Sequence, residues 1–319
     1  MQTIAEHLGV SKYAVSRSLA GKGGVSETTR RTVERMAREL GYVAPGVAAS
    51  ARTIHLVLHD HDPVNSEVQL RIQRGIQREA ERHGYQVQMQ WTHDLRRIHE
   101  LGRSGAGMIL VGPHAPVVTQ PAQRALPLVK VGLIGPLEPI DQVDVGANEA
   151  TAAFGLKLYD YGHRDIVFLQ GNGRLRGRTG RFRALRDALT DVGCTAVTEL
   201  FFDENGGFLA AFEALRATGR QPTALVAGND WIAVSVISDL MRAGLRVPHD
   251  VSVIGYGDYA AAVQTTPQLT TIRVPGEEMG AAALQLLLER LERRADPQRA
   301  PRRILISPTL VERQSLRRL

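Results

Sequence analysis

AEHLGVSKYAVSRSLAGKGGVSETTRRTVERMARELGY, Ala5 to Tyr42, carries three helical signals in close succession. Ile4, Ala5 and Leu8 form an apolar stripe at helical spacing, and Gly9 ends it. Glycine reaches the left-handed backbone conformation that a sharp helix-to-helix turn requires. Val10 plugs the turn, and Ser11 stands where it can cap a second helix running to about Leu19. That helix turns Val15 and Leu19 inward and leaves Lys12, Tyr13, Ser16 and Arg17 outward. Ser26 caps a third helix, with Glu27 placed favourably near the helix dipole. Its inward face is Val33, Met36, Ala37 and Leu40, and Gly41 stops it. The arrangement is a helix-turn-helix.

The outward face of the second helix carries the chemistry. Lys12 and Arg17 suit phosphates or guanine edges, Tyr13 can reach or stack on bases, and Ser11 and Ser16 can bond phosphates. A small helical bundle with a solvated polar face has the same pattern, so these residues alone leave both readings open. The charge distribution bears on the choice. Net charge is +6 over 319 residues, yet residues 1–52 hold eight Lys/Arg against four Asp/Glu. A small basic head on a nearly neutral body points to a polyanion partner for the head. An Arg-rich surface throughout would also account for it.

Beyond Thr53 the chain alternates short apolar runs with amphipathic stretches. Nine strands are expected, at 54–59, 86–90, 107–111, 128–132, 166–170, 197–202, 224–227, 251–255 and 271–274. Helices are expected at 66–83, 149–161, 178–192, 206–218, 231–243 and 276–294. This alternation predicts α/β architecture, with doubly wound parallel sheets in two lobes that divide near 146–164 and again near 275. Ligands in such folds sit beyond the carboxyl ends of the strands, here between the lobes. The domain reading is a headpiece over 1–44, a hinge segment over 45–52 and a two-lobed core over 53–319.

The Ala5–Tyr42 stretch closely resembles the DNA-binding headpiece of the lactose-repressor (LacI/GalR) family of bacterial transcription regulators. Gly9-Val10-Ser11, Val15-Ser16-Arg17, Gly21-Lys22, Val25-Ser26 and Leu40-Gly41-Tyr42 match at the family's spacing. The resemblance continues through Tyr161-Gly162-His163-Arg164-Asp165-Ile166, Asn229-Asp230, Val251-Ser252-Val253-Ile254-Gly255-Tyr256 and Pro308-Thr309-Leu310-Val311-Glu312-Arg313. It implies a periplasmic-binding-protein-like core behind the headpiece. It also implies that helix 11–19 enters a major groove, with Lys12, Tyr13 and Arg17 at base-reading positions and Lys22 as a further DNA-binding residue.

Two departures matter near the head. The family's first helix begins further upstream behind a Thr cap, so either Met1 is a late start or this helix begins frayed. The segment VAPGVAASAR (43–52) occupies the place of a hinge helix that inserts a Leu into a base step. That position is Ala51, too small to unstack bases, so weaker operator bending is expected.

For the cleft, the resemblance implies that Arg178 holds effector hydroxyls, carboxylates or phosphates, with Asn229 and Asp230 at the rim. The family's aspartate after Gly-Tyr is Gly257 here, with Asp258 behind it, and the acidic residue before Asn148 is Ala147. Arg174, Arg176, Arg178, Arg181 and Arg183 crowd one loop and helix start. Arginine forks suit carboxylate and phosphate, so within the sugar-type effectors (sugar, sugar phosphate or sugar acid) an anionic or weakly polar one is expected rather than a plain neutral sugar. Solvent exposure of all but Arg178 is the plainer alternative. Trp231 either stacks on an effector ring or packs within its lobe.

Other classes fare poorly. No glycine-rich piece has dinucleotide or P-loop spacing, and no nucleophile elbow is present. His59, Asp60 and His61 cluster without a matching ligand set elsewhere, so no metal and no cofactor is expected. No membrane span or secretory signal is visible, and the one cysteine, Cys194, can form no internal disulfide, so a cytosolic protein is expected. For a regulator of the resembled family a homodimer is the default expectation. A binding protein with no regulatory role is opposed by the headpiece. Gly257 and Ala147 keep open a regulator with a vestigial cleft, acting constitutively or through a protein co-regulator.

Overall fold

The computed structural model describes residues 1–19, 23–40, 52–60, 66–132, 135, 137–173, 175–203, 205–292 and 300–319. At the head, α1 (Gln2–Leu8), α2 (Lys12–Leu19) and α3 (Glu27–Glu39) enclose a small core of Ile4, Val15, Val33 and Ala37. Gly9 sits at φ 62°, and the next amide, Val10, bonds the Ala5 carbonyl at 3.1 Å. Ser11 Oγ accepts from the Ala14 amide and Ser26 Oγ from the Thr29 amide, both at 3.1 Å, so each hydroxyl satisfies a helix-start donor. Leu40, expected inward, is 43% exposed because α3 ends one residue before it.

Two six-stranded sheets follow. The first contains β1 (Thr53–Leu58), β2 (Gln86–Trp91), β3 (Gly107–Val111), β4 (Leu128–Val131), β5 (Asp141–Val145) and β11 (Arg303–Ile306), in the order β11-β5-β4-β3-β1-β2. The second contains β6 (Asp165–Gly171), β7 (Ala196–Phe201), β8 (Ala224–Ala227), β9 (Ser252–Gly257), β10 (Thr270–Arg273) and β12 (Thr309–Val311), in the order β12-β10-β9-β8-β6-β7. Pairing is parallel except between β10 and β12. Each sheet reverses its winding at one point, between β1 and β3 in the first lobe and between β6 and β8 in the second. Such switch points open a crevice beyond the carboxyl ends of the strands.

The helices are α4 (Ser66–Arg82), α5 (Leu95–Leu101), α6 (Pro116–Ala125), α7 (Ala147–Asp160), α8 (Arg176–Asp191), α9 (Phe208–Ala217), α10 (Asp230–Arg242), α11 (Ala261–Gln264) and α12 (Gly276–Glu292). The chain changes lobe after β5, again between β10 and α12, and a third time between β11 and β12. Helix α12 returns to the first lobe and crosses α4 at backbone contact. A Cβ on Gly75 would lie 2.0 Å from the Glu277 carbonyl oxygen, and one on Gly280 would lie 2.1 Å from that of Ile72.

The two-lobed α/β expectation holds, but β5, β11 and β12 and helices α5, α6 and α11 escape a reading based on apolar runs. Strand β5 reads DQVDV, and its buried Asp141 is matched by Arg290 Nη2 at 3.0 Å and the Arg302 amide at 2.6 Å. Those partners lie about half the chain away. The hinge segment lies outside the described residues apart from Arg52.

Candidate nucleic-acid interface and effector cleft

On α2, Lys12, Tyr13 and Ser16 are exposed, Tyr13 at 69%, while Val15 anchors the opposite side in the core. Arg17 is more constrained. Its Nε donates to the Gly23 carbonyl at 2.7 Å, Nη2 reaches the same oxygen, and Nη1 donates to the Tyr13 hydroxyl at 2.9 Å. Arg17 and Tyr13 therefore act as one unit anchored on the Gly23 carbonyl. Ser11 is committed to capping, and Lys22 and Ala51 lie outside the described residues.

In the second lobe the switch point is walled by two buried guanidiniums. Arg178 Nη1 donates to the Gln170 carbonyl at the end of β6. Arg181 Nη2 donates to the Gly228 carbonyl just after β8 at 2.8 Å, and its guanidinium lies 3.7 Å from the Tyr256 ring centroid. Burial lowers the pKa of Arg181, and the neighbouring Arg178 adds to the effect. Arg181, a candidate for solvent exposure from sequence, is thus buried, whereas Arg176 and Arg183 do face solvent and Arg174 lies outside the described residues. The signal for Arg181 was available: Arg178, Arg181, Phe182, Leu185 and Leu189 form one buried stripe at helical spacing.

Asn229 and Asp230, expected at the rim, are both buried. Asn229 caps α10 by accepting from the Ile232 amide at 2.9 Å. Asp230 accepts from the Thr271 hydroxyl and the Tyr259 amide, each at 2.6 Å, so it ties α10 to β10 and to the loop after β9. Burial pushes its carboxyl up to about 6 against those two bonds. Trp231, 55% exposed, instead opens a shallow groove that runs along α10 past Val234, Ile237 and Met241.

Gly257 and Asp258 also acquire physical reasons. Gly257 has φ 131°, and a Cβ there would meet the Tyr259 ring at 2.4 Å, so Tyr259 fills the space an aspartate side chain would need. Asp258 is held by Arg273 and Arg313, each at 2.7 Å. Burial raises its pKa, but those arginines together outweigh burial and hold the carboxyl below its ordinary value. Sequence reasoning misses the bridge that spans the cleft. Arg71 of α4 donates to the carbonyls of Gly257 at 3.3 Å and Asp258 at 2.5 Å, and Glu67 accepts from the Ala260 amide at 3.0 Å. The carboxyl ends of the two sheets therefore face each other.

Among the described residues no group of three or more His, Cys, Asp or Glu side chains is arranged to hold a metal ion, and no helix is long and apolar enough to cross a membrane.

Residues 1–45 match the model for bacterial regulatory proteins of the lacI family, and residues 157–316 match that for a periplasmic binding protein-like domain. The ribose operon repressor of Haemophilus influenzae is 28% identical over 99% of this chain and 98% of its own. The transcriptional repressor CytR of Escherichia coli K12 is 30% identical, with 92% of this chain and 89% of its own covered. The solved complex of the regulator CelR with cellobiose superposes with a TM-score of 0.69 at 26% identity, covering 98% of each chain. The chain belongs to the lacI family of bacterial regulatory proteins and is a DNA-binding transcriptional regulator, not an enzyme.

Proposed function

We propose that the protein is a repressor that binds a pseudo-palindromic operator as a homodimer, under control of a small molecule held between its lobes. The exposed face of α2 carries this reading. Lys12, Tyr13 and Ser16 stand outward on a helix whose opposite side is anchored by Val15, while Arg17 joins Tyr13. Lys12 and Ser16 engage phosphates, Tyr13 and Arg17 read bases as a pair, and Lys22 and Ala51 extend the DNA contact. The functional units are a headpiece over 1–44, a hinge over 45–52 and a core over 53–319, working in the cytoplasm and on the nucleoid when bound to DNA.

Each lobe offers an apolar surface for a second copy. On the edge strand β2, Met89 and Trp91 are exposed on one face; along α10, Trp231 and Met241 are exposed. Patches of this kind on an unpaired edge and a helix face are covered in an assembly. Trp231 thus serves packing better than effector stacking.

In the cleft, Arg178 and Arg181 line the β6/β8 switch point, and the Asp258 carboxylate after β9 is already neutralised by Arg273 and Arg313. This balance favours an anionic effector, such as a sugar acid or sugar phosphate, over a neutral sugar. The effector shifts the population of the DNA-competent arrangement by its differential affinity for it.

Selection of bound duplexes from a random pool at fixed, near-physiological salt tests the reading, because salt sets the nonspecific background. An enriched palindrome is the expected result. Uniform, salt-sensitive binding with no enriched sequence overturns it.

A further inference from the structure

His59, His93 and His114 come from three strand ends of the first lobe and meet as one imidazole cluster. His59 follows β1, His93 follows β2 and His114 follows β3. The His59 ring centroid lies 5.0 Å from that of His114, edge-on, and 5.5 Å from that of His93, stacked. His93 Nδ1 donates to Asp60 Oδ1 at 2.6 Å, so Nδ1 carries the hydrogen. His59 and His114 flank the β1/β3 switch point just as Arg178 and Arg181 flank the β6/β8 switch point. The Arg71 bridge sets these two carboxyl-end surfaces against each other.

We propose that this cluster is the first-lobe half of an anion site. A small carboxylate or phosphate sits between it and the Arg178–Arg181 wall, and a solvent proton enters the cluster as the anion binds. The inference rests on the reading that the cleft takes an anionic effector. Its chemistry is that of imidazole: one nitrogen of the neutral ring accepts, whereas both donate once the ring is protonated. Protonation therefore converts a wall suited to hydroxyl donors into one suited to an anion.

The buried member of the cluster is set apart from the other two. His114 is 2% exposed, and burial, with His59 beside it, pushes its pKa down to about 4, so it stays neutral. His93, by contrast, is half-exposed and held by its Nδ1 on Asp60. Asp94, a second carboxylate among the described residues nearby, is committed to capping α5 through the amides of Arg96 at 2.7 Å and Arg97 at 3.1 Å. Lys130 of β4, whose amine holds the His114 carbonyl at 3.0 Å, is paired with Glu138 at 3.1 Å. The two outer imidazoles thus supply the inducible positive charge of this wall.

The test is calorimetric titration of the full-length chain with gluconate, glucuronate and sulfate, all of which keep their charge between about pH 6 and about pH 8. Runs in buffers of different ionisation enthalpy count the protons taken up. At least one of these anions is expected to bind about tenfold more tightly at the lower pH with net proton uptake. The double variant His59→Asn/His93→Asn is expected to flatten that dependence while keeping the affinity seen at the higher pH. Circular dichroism shows whether the variant is folded, and His93→Gln alone offers a milder change. Anion binding that is independent of pH, or unchanged in the variants, overturns the cluster's role and leaves the anionic-effector reading standing. No binding by any of the three at either pH overturns both. Binding that needs added zinc and vanishes with a chelator makes the cluster a metal site instead and overturns the proposal.

Discussion

Arg71 holds Asp258 by its backbone across the cleft: Nη2 donates to the Asp258 carbonyl at 2.5 Å, while the same nitrogen pairs with Glu67 at 2.8 Å. Asp258 itself sits at φ 54°, a conformation uncommon for a residue with a side chain, with its carboxylate secured by Arg273 and Arg313. The loop between β9 and α11 is therefore fixed from the second lobe by its side chain and from the first lobe by its backbone. Arg71 thus couples this loop to the setting of the lobes.

Removing the bridge should loosen that setting. Arg71→Ala is expected to cost about 1.5–3 kcal/mol, the range for hydrogen bonds involving a charged group, and to widen the particle in small-angle scattering. Arg71→Lys keeps the charge but loses the two-pronged reach, so it should recover only part of the effect. An unchanged scattering profile and unfolding midpoint in Arg71→Ala would show that the lobes are set by packing alone.

The crossing of α4 and α12 should be intolerant of any side chain at Gly75. Alanine improves intrinsic helix propensity by about 1 kcal/mol, but its Cβ would lie 2.0 Å from a backbone oxygen that has no rotamer to escape into. Separating the helices disturbs a core that includes Ile72, Ile76, Ala283 and Leu287. Gly75→Ala should thus destabilise by about 2–4 kcal/mol in denaturant titration, with no direct effect on the headpiece.

Asp230 gives the fold a pH signature. Its folded-state pKa, about 6, stands above the ordinary carboxylate value, so the native state binds this proton more tightly than the unfolded chain does. The associated stability is present in acid and is lost as pH rises through about 4 to about 6, a change on the order of 3 kcal/mol. In Asp230→Asn the amide oxygen can accept from the Tyr259 amide while its nitrogen donates to Thr271. The variant should therefore be relatively more stable than the parent at neutral pH than at about pH 4. Unfolding curves at both pH values check this, and a constant difference between the proteins would refute it.

The head is legible in sequence because its determinants are local: Gly9, Ser11 and Ser26 each act within four residues of themselves. The lobes are legible where strands are wholly apolar, as in GMILV at β3. Strands β5 and β11 are not, since their pairing of Gln142 with Arg303 joins residues far apart and leaves β11 half-exposed along its length. In the cleft, Arg178 is readable by resemblance and Arg181 by helical phase. Gly257 is not readable alone, because its reason is the ring of Tyr259 folding back over it. The bridge from Arg71 to Asp258 carries no sequence signal, since its acceptors are backbone carbonyls.

The recognition helix should separate into positions that set affinity and positions that set sequence preference. Lys12 is exposed, as a phosphate-neutralising residue must be. Lys12→Ala is therefore expected to weaken binding to all duplexes alike and to lower the salt-dependence slope by about 1. Arg17 differs, because its guanidinium is seated on the Gly23 carbonyl and the Tyr13 hydroxyl before any DNA arrives. Its loss should free Tyr13 as well, costing about 1–3 kcal/mol on the preferred operator and relaxing the preference at the bases that the pair reads. Tyr13→Phe removes only the hydroxyl that Arg17 holds and should reproduce part of that relaxation without changing the salt slope. Binding isotherms on the selected operator and on a scrambled duplex, each at several salt concentrations, distinguish these outcomes. Equal losses on both duplexes for Arg17→Ala would assign Arg17 to the phosphates instead.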